Sequence, residues 1–342
     1  MRIATWNVNS LKARQEKVDW WLGRAAPDVL LLQETKLSDA DAPVMAFAMA
    51  GYDLVHHGEG RWNGVAIAIR SGMTVSDIQT NFGDGPVRDT AAKAGAGAAG
   101  SAGAAGSAGA AWAAGAASAQ GDAEEDFDPL SEARIVSATV SAPVSATASA
   151  PGSAGTGALR VVSIYAPNGR VVDSPFYRGK LAWFDRLERW LATELAGGVS
   201  LIVGGDFNIA PSDDDVWDPG AVHGGTHVSA AEREAFDRLL ALGLTDAYRS
   251  QRDERGRFTW WDYRAGSFHK NFGMRIDHLL ATPDVAARIA WAEIDREARK
   301  GKPIPSDHAP VIVDLDGPGR EIDAGWGAAG ERIAARSGYR PG

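Results

Sequence analysis

The feature that most constrains the fold is a short aliphatic run at residues 201–203, which passes through two glycines and ends at Asp206, Phe207 and Asn208. Its length and composition are typical of a buried strand. If the chain stays extended, Asp206 and Asn208 project from one face, where a carboxylate and an amide could orient a water molecule and hold a phosphate oxygen. A turn is the alternative interpretation, because Gly, Asp and Asn are also turn residues.

The same arrangement recurs twice in the first half of the chain. The strand pattern at residues 3–6 leads into Asn7, and the pattern at residues 28–32 leads into Glu34, with Lys36 two positions further on. A third strand, at residues 160–165, ends in Tyr165 and a turn. Taken singly, an acid at a strand end is often structural, and a tyrosine is often an interfacial core residue.

Polar groups also cluster near the last strands. Asp277 lies in a short strand at residues 275–280, and Asp307 and His308 precede a last strand at 311–315. By itself His308 would be an ordinary satisfied histidine, but paired with Asp277 it would be oriented as a base or as a cation facing a phosphate. Convergence of these strand ends would assemble an oxygen-rich set, which selects Mg²⁺ or Mn²⁺ over zinc.

Amphipathic periodicity predicts helices at about residues 10–23, 176–196 and 229–242, and a Ser229–Glu232 capping box opens the last of these. Further strands are expected at residues 62–70 and 134–140. The segment 258–264 has more aromatic residues than an ordinary surface loop. Aromatic clusters of this kind belong either to a core or to a binding surface.

Two segments of restricted composition interrupt the chain. Residues 91–120 contain only Ala, Gly and Ser apart from one lysine, one tryptophan and one glutamine, and residues 141–158 are nearly as restricted. Neither can build a core, and the frequent glycines argue against a helix, so we expect residues 91–120 to lack a fixed fold. The 342 residues are therefore interpreted as one domain at 1–316 with insertions at about 84–129 and 141–158, and a C-terminal tail at 317–342.

The composition also limits the kind of protein. The absence of cysteine excludes disulfides and thiolate metal sites. No apolar run reaches about 18 residues, so no membrane span is expected, and the N-terminal strand pattern is unlike an export signal. We expect a cytoplasmic protein. The net charge of −9 is weak information about partners, because a polyanion would need only a local basic face. Candidates for that face are Arg170, Arg178, Lys180, Arg249, Arg264, Lys270 and Arg275.

Six short motifs, taken in order, resemble those of the exonuclease III family of AP endonucleases, within the endonuclease/exonuclease/phosphatase superfamily. They cover residues 1 to about 70 and 130–316, and consist of 6–9 (WNVN), 33–36 (QETK), 165–169 (YAPNG), 205–208 (GDFN), 275–278 (RIDH) and 306–308 (SDH). The resemblance implies a DNase I-like α/β fold, a four-layered sandwich of two mixed sheets packed face to face with helices outside. It places the site at one edge of that sandwich.

Residue roles also follow from the resemblance. Glu34 would be the main Mg²⁺ ligand, with Asn7 and Asp307, while Mn²⁺ is an alternative ion and Asp206 and Asn208 are candidates for a second metal site. Asp206 would activate or position the attacking water, and Asn208 would hold a phosphate oxygen. Asp277 and His308 are further catalytic candidates, which would orient the phosphate or share the role of general base. Tyr165 would lie near the leaving oxygen.

The aromatic run and residues 271–277 resemble the AP-endonuclease branch, which implies a small apolar pocket for a flipped, base-free sugar. Trp260, Met274 and Ile276 would wall it, with Asn271 and Arg170 as further substrate-binding candidates. The expected activity is cleavage of double-stranded DNA 5′ to abasic sites by a monomer, with 3′-to-5′ exonuclease and 3′-phosphatase activity. The alternatives are a general metal-dependent phosphodiesterase or phosphatase of the superfamily, and a non-catalytic DNA-binding or interaction protein.

Overall fold

The computed structural model describes residues 1–87, 128–142, 157–327 and 329. The strands of this part of the chain are β1 (Arg2–Asn7), β2 (Val29–Gln33), β3 (Tyr52–His57), β4 (Val65–Arg70), β5 (Thr74–Thr80), β6 (Ile135–Ser141), β7 (Leu159–Tyr165), β8 (Leu201–Asp206), β9 (Thr245–Asp246), β10 (Trp260–Trp261), β11 (Gly273–Met274), β12 (Asp277–Ala281), β13 (Ile289–Ile294) and β14 (Val311–Leu315). Its α-helices are α1 (Leu11–Ala25), α2 (Val44–Met49), α3 (Pro175–Ala196), α4 (Pro219–Val222), α5 (Ala230–Ala241), α6 (Ser267–Lys270) and α7 (Pro283–Ala286).

Twelve of these strands form two six-stranded mixed sheets. The first has the order β13-β14-β1-β2-β4-β3, and the second has the order β5-β6-β7-β8-β12-β9. Each sheet contains one parallel pair at its centre, β1 with β2 and β7 with β8, among antiparallel neighbours. Because parallel strands end at the same edge, these two pairs deliver their last residues to one side of the molecule.

Apolar side chains from both sheets form the central core, in which Leu31 and Ile202 are fully buried. A second core lies between the other face of the second sheet and helices α3 and α5, and a third lies between the first sheet and helix α1. The molecule is therefore built of four layers, with helices outside two mixed sheets, and the predicted fold class is confirmed.

Local sequence signals explain the helix boundaries. Ser174 caps α3 by accepting a hydrogen bond from the Tyr177 backbone, with proline at the first helical position. The Ser229–Glu232 capping box is present at α5, as predicted. The three predicted helices and the predicted strands on both sheets are confirmed within one to three residues.

One detail of the strand-end prediction is wrong. Strand β8 ends at Asp206, and Asn208 has a φ of 52°, so the chain is not extended where the two side chains were expected to share one face. Glu34 directly follows the end of β2, as predicted, and has a φ of 51°. The backbone is therefore in the left-handed region at Glu34, directly after β2, and at Asn208, two residues after β8.

Most of the two predicted insertions lies outside the described residues, including the whole of 91–120. The first described residues of the predicted tail pack on the domain, where Trp326 is buried and its Nε1 donates to the Ile294 carbonyl at 2.7 Å. No helix in the described ranges is both long enough and apolar enough to span a bilayer.

Candidate active site

The site lies where β1, β2, β7 and β8 end and β12 begins. Asn7 pairs with Gln33 at the end of β1 and β2, so Glu34 follows at the same edge. Across the second sheet, Asp206 lies in register with Tyr165 on one side and with Asp277 on the other. Strand register therefore brings together side chains that are far apart in sequence.

Asn7 links the two sheets at this edge. Its Nδ2 donates to Glu34 Oε1 and to Asp206 Oδ2, both at 2.9 Å, while its Oδ1 accepts from the Asn9 backbone. The predicted ligand oxygen of Asn7 is thus used within the loop, and the side chain acts here as a bridge between two carboxylates.

Lys36 forms an ion pair with Glu34. The Lys36 Nζ lies 2.9 Å from Glu34 Oε2 and donates to Asn9 Oδ1 at 2.6 Å. The Asn9 amide donates in turn to Asp307 Oδ1 at 2.9 Å. Asp307 is therefore joined to Glu34 through Asn9 and Lys36, and its second oxygen accepts from the Trp260 indole at 3.1 Å.

Asp277 and His308 form the pair that the sequence suggested. His308 Nδ1 lies 2.8 Å from Asp277 Oδ2, and its Nε2 lies 3.8 Å from Asp206 Oδ2. Burial lowers the pKa of His308, but the carboxylates of Asp277 and Asp206 outweigh it and raise the pKa to about 10. Of the two roles considered, base or cation, this environment favours a cation at neutral pH.

Asp206 is buried close to other carboxylates, which disfavour its charged form. Burial, followed by the Asp277 carboxylate, raises the pKa of Asp206 to about 7, although His308 and the Asn7 amide favour its charged form. Burial and the neighbouring Glu34 also raise the pKa of Tyr165 well above its usual range. The tyrosine hydroxyl therefore stays protonated and can donate a hydrogen bond.

Asn208 is fixed by the backbone around it. Its Nδ2 donates to the Ala166 carbonyl at 3.0 Å, and its Oδ1 accepts from Asn168 at 3.3 Å. Its own carbonyl accepts from Lys180 Nζ and from His227 Nδ1, each at 2.6 Å. Neither His227 nor the fully buried Lys180 was predicted in this position, and no local sequence pattern marks them.

Gly205 is required by close packing. A Cβ at this position would lie 1.9 Å from the Ile164 carbonyl oxygen of the neighbouring strand. The glycine lets β7 and β8 approach while Asp206 keeps its direction.

An apolar cluster lies beside the catalytic candidates. Ile276 is buried with Ala210, Val216 and Val228, and Trp260 and Met274 pack partly buried against them. The three predicted pocket walls are thus brought together. Asn271 is 5% exposed. Its Oδ1 accepts from the Trp261 indole and its Nδ2 donates to the Gly256 carbonyl, so it holds the aromatic segment in place. Arg170 is exposed, with its guanidinium 3.6 Å from the Phe176 ring centroid.

Several of the cations proposed for a basic face are used internally. Lys180 pairs with Glu232 in full burial, and Arg275 pairs with Asp215 and Asp246 at 2.7 Å each. Arg249 also pairs with Asp215. These three residues are corrected to structural roles, because their charges are already compensated.

The donors fit a hard cation. Carboxylate oxygens of Glu34 and Asp206 lie within 4.8 Å of each other, and His308, which lies equally near, is protonated and therefore does not act as a ligand. Asp277 Oδ1 is buried without a hydrogen-bond partner among the described residues. Crowded carboxylates, one of which has a raised pKa, are the chemistry that a divalent cation stabilises.

A four-layered sandwich with carboxylates, an imidazole and a phenol at its strand edge defines a class of phosphoesterases. More narrowly, the chain belongs to the Endonuclease/Exonuclease/phosphatase family, whose model matches residues 4–308. Exodeoxyribonuclease III of Haemophilus influenzae is 26% identical over 327 residues, covering 92% of this chain and all of that protein.

Solved structures give the same assignment. The 3′ phosphatase NExo from Neisseria, bound to a product DNA hairpin, is 34% identical with a TM-score of 0.72. An AP endonuclease from Archaeoglobus fulgidus is 28% identical with a TM-score of 0.71. Each comparison covers 93% of this chain and 100% of the other. The predicted exonuclease III-like membership is confirmed.

Proposed function

We propose that this protein is a DNA repair phosphodiesterase of the exodeoxyribonuclease III type, which hydrolyses the DNA backbone 5′ to abasic sites and also acts at 3′ ends. The enzyme is a hydrolase and a nuclease. The single observation that carries the assignment is the convergence of Glu34, Asp206, Asp277 and His308 beside the apolar cluster that contains Trp260, Met274 and Ile276. The similar proteins include an exodeoxyribonuclease III, a 3′ phosphatase and an AP endonuclease.

We assign the water-activating role to Asp206. Its pKa of about 7 suits a group that must take a proton near neutral pH. His308, held as a cation by Asp277, would face a nonbridging phosphate oxygen, and the second Nδ2 hydrogen of Asn208 would face another. The protonated Tyr165 hydroxyl is the candidate to donate to the leaving oxygen.

Glu34 would hold a divalent metal ion, with Asp206 and Asp307 as further candidates and Asn7 bridging the carboxylates. When bound, Mg²⁺, or Mn²⁺ in its place, would supply charge neutralisation at the phosphate. The Lys36 ammonium already lies against Glu34. It would therefore have to share that carboxylate or move.

For substrate selection we propose the pocket of Trp260, Met274 and Ile276, with Arg170 and Asn271 as weaker candidates. A base-free sugar costs less to extrude than an intact nucleotide, and a tight apolar pocket would exclude a base by size. Cleavage at abasic sites is one activity that this pocket would serve. Removal of a 3′-terminal phosphate is the second candidate, which the similarity to NExo favours.

One experiment compares these activities directly. Three labelled duplexes carry an internal abasic analogue, a recessed 3′-phosphate or an undamaged recessed 3′ end, and each is incubated with Mg²⁺, with Mn²⁺ or with excess EDTA. We expect metal-dependent cleavage 5′ to the abasic analogue and processing of the 3′ ends. Glu34→Gln should lose activity by orders of magnitude, and a fully paired undamaged circle serves as the negative control.

The outcomes separate the candidates. Processing of the 3′-phosphate without abasic cleavage would replace the AP-endonuclease assignment by that of a 3′-end enzyme. Full activity in excess EDTA would contradict the metal role, and a preference for non-nucleotide phosphate esters would contradict the action on DNA. The expectations of a monomer and of a cytoplasmic location stay predictions.

A further inference from the structure

A narrow β strip leads from the active site toward the surface. His308 forms a bridge with Trp260, Trp260 pairs with Met274 in the β10–β11 ribbon, and Met274 forms a bridge with Val216. These four chain segments lie side by side. At about 4.8 Å between neighbouring strands, the outer segment lies roughly 14 Å from His308.

Two aromatic side chains end this strip. The rings of Trp217 and Phe272 are stacked, with centroids 4.1 Å apart and an angle of 24° between their planes. They remain 36% and 40% exposed, respectively. The Trp217 backbone donates to the Gly273 carbonyl at 3.0 Å, which fixes the pair to the strip. A flat apolar surface of this kind is preorganised for contact with another ring.

The charges around the stack suit a nucleic-acid strand. Lys270 Nζ lies 5.6 Å from the Phe272 ring centroid, which places a cation beside the aromatic surface. Of the nearby carboxylates, Asp214 pairs with Arg255 at 2.6 Å, and Asp218 caps helix α4 by accepting from two backbone amides. Their negative charge is thus partly compensated.

We propose that Trp217 and Phe272 form a stacking platform for one unpaired base of the DNA substrate, roughly 14 Å from His308. The distance follows from three strand spacings of about 4.8 Å along the strip. An unpaired base is the occupant because paired bases already stack on both faces, whereas aromatic side chains bind unpaired bases of any sequence. The proposal rests on the proposed action on DNA and extends it to gapped or recessed substrates.

The test places the fluorescent base 2-aminopurine, in turn, at each of the first six unpaired template positions beside a recessed 3′ end. DNA is bound in excess EDTA so that it is not cleaved. With the wild type, we expect emission to be quenched strongly at one or two adjacent positions and weakly at the others. Trp217→Ala should lose this quenching, whereas Trp217→Phe should keep part of it. Trp20→Ala is the matched control, because Trp20 is 44% exposed on the outer helix α1.

Affinity gives a second readout. Removing one base–aromatic stack should weaken binding of the recessed duplex by about tenfold, and binding of the fully paired duplex by less than twofold. Thermal unfolding checks that the variants are folded, and Phe272→Leu keeps the apolar area without an aromatic ring. Quenching that is independent of position, or that survives in both Trp217→Ala and Phe272→Leu, would overturn the platform.

The two proposals fail differently. A wild type that cleaves the fully paired abasic duplex but shows no position-dependent quenching refutes the platform alone. A wild type that neither binds nor processes any DNA substrate refutes the proposed function and the platform with it.

Discussion

Replacing Lys180 with methionine tests the buried ion pair between Lys180 and Glu232, which supports the backbone of Asn208. Both Lys180 and Glu232 have no solvent exposure, and the lysine also donates to the Asn208 carbonyl at 2.6 Å. Burial lowers the pKa of the lysine, with Glu232 opposing this effect. Methionine keeps the length of the side chain, so the substitution removes the charge with little change in volume.

The expected loss of unfolding free energy depends on the hydrogen bonds that Glu232 keeps in the variant. Losing one partner of a buried ion pair typically costs 3–5 kcal/mol of unfolding free energy, because the other charge stays desolvated. Glu232 keeps four other donors, from the Thr226 hydroxyl, the His227 amide, and the Ser229 amide and hydroxyl. We therefore expect the lower end of the range, about 3 kcal/mol.

Urea unfolding of four proteins measures this directly: wild type, Lys180→Met, Glu232→Gln and the double variant. The double variant should be more stable than the sum of the single losses predicts, because removing both charges leaves no unpaired one. Turnover should also fall, since Asn208 loses a bond that fixes its backbone. Strict additivity, or a loss below about 1 kcal/mol for Lys180→Met, would refute the reasoning.

Four further predictions concern catalysis, selectivity, pH and the first insertion. Asp206→Asn should suppress turnover with little loss of DNA affinity, and weak binding with normal turnover at saturation would reverse its assigned role. Combining Trp260→Ala with Met274→Ala should lower abasic-site cleavage and relax discrimination against intact nucleotides, measured as the ratio of rates on abasic and undamaged duplexes. Burial lowers the pKa of His227 from 6.5 to about 4, so its stabilising contribution is complete above pH 6.5 and is lost as pH falls toward 4. His227→Gln should weaken this pH dependence, measured by urea unfolding at pH 7 and pH 4.5, and an unchanged dependence would count against the burial argument. Deleting residues 91–120 should leave activity within about twofold, since loop closure depends weakly on length, and loss of folding would show a structural role.

Local signals in the sequence determined the elements that depend on neighbouring residues. The capping box at Ser229 set the start of α5, and apolar periodicity marked α1 and α3, because helix caps and amphipathic faces are built from residues within one or two turns. The aliphatic runs that end in polar residues marked the strands that carry the site. Strand β5 escaped prediction because it lies at the edge of its sheet and most of its residues are at least partly exposed, so it lacks a clear apolar alternation.

Only the tertiary structure decided which polar groups meet and which charges are available. Asn7 donates to Asp206 from 199 positions away, and His308 hydrogen-bonds Asp277 from 31 positions away. The burial of Lys180 against Glu232, which is 52 positions away, also depends on packing between segments remote in sequence. The residue type and its sequence neighbours indicate which chemistry a side chain is capable of. Strand register and burial determine its partners and its pKa, and therefore its role.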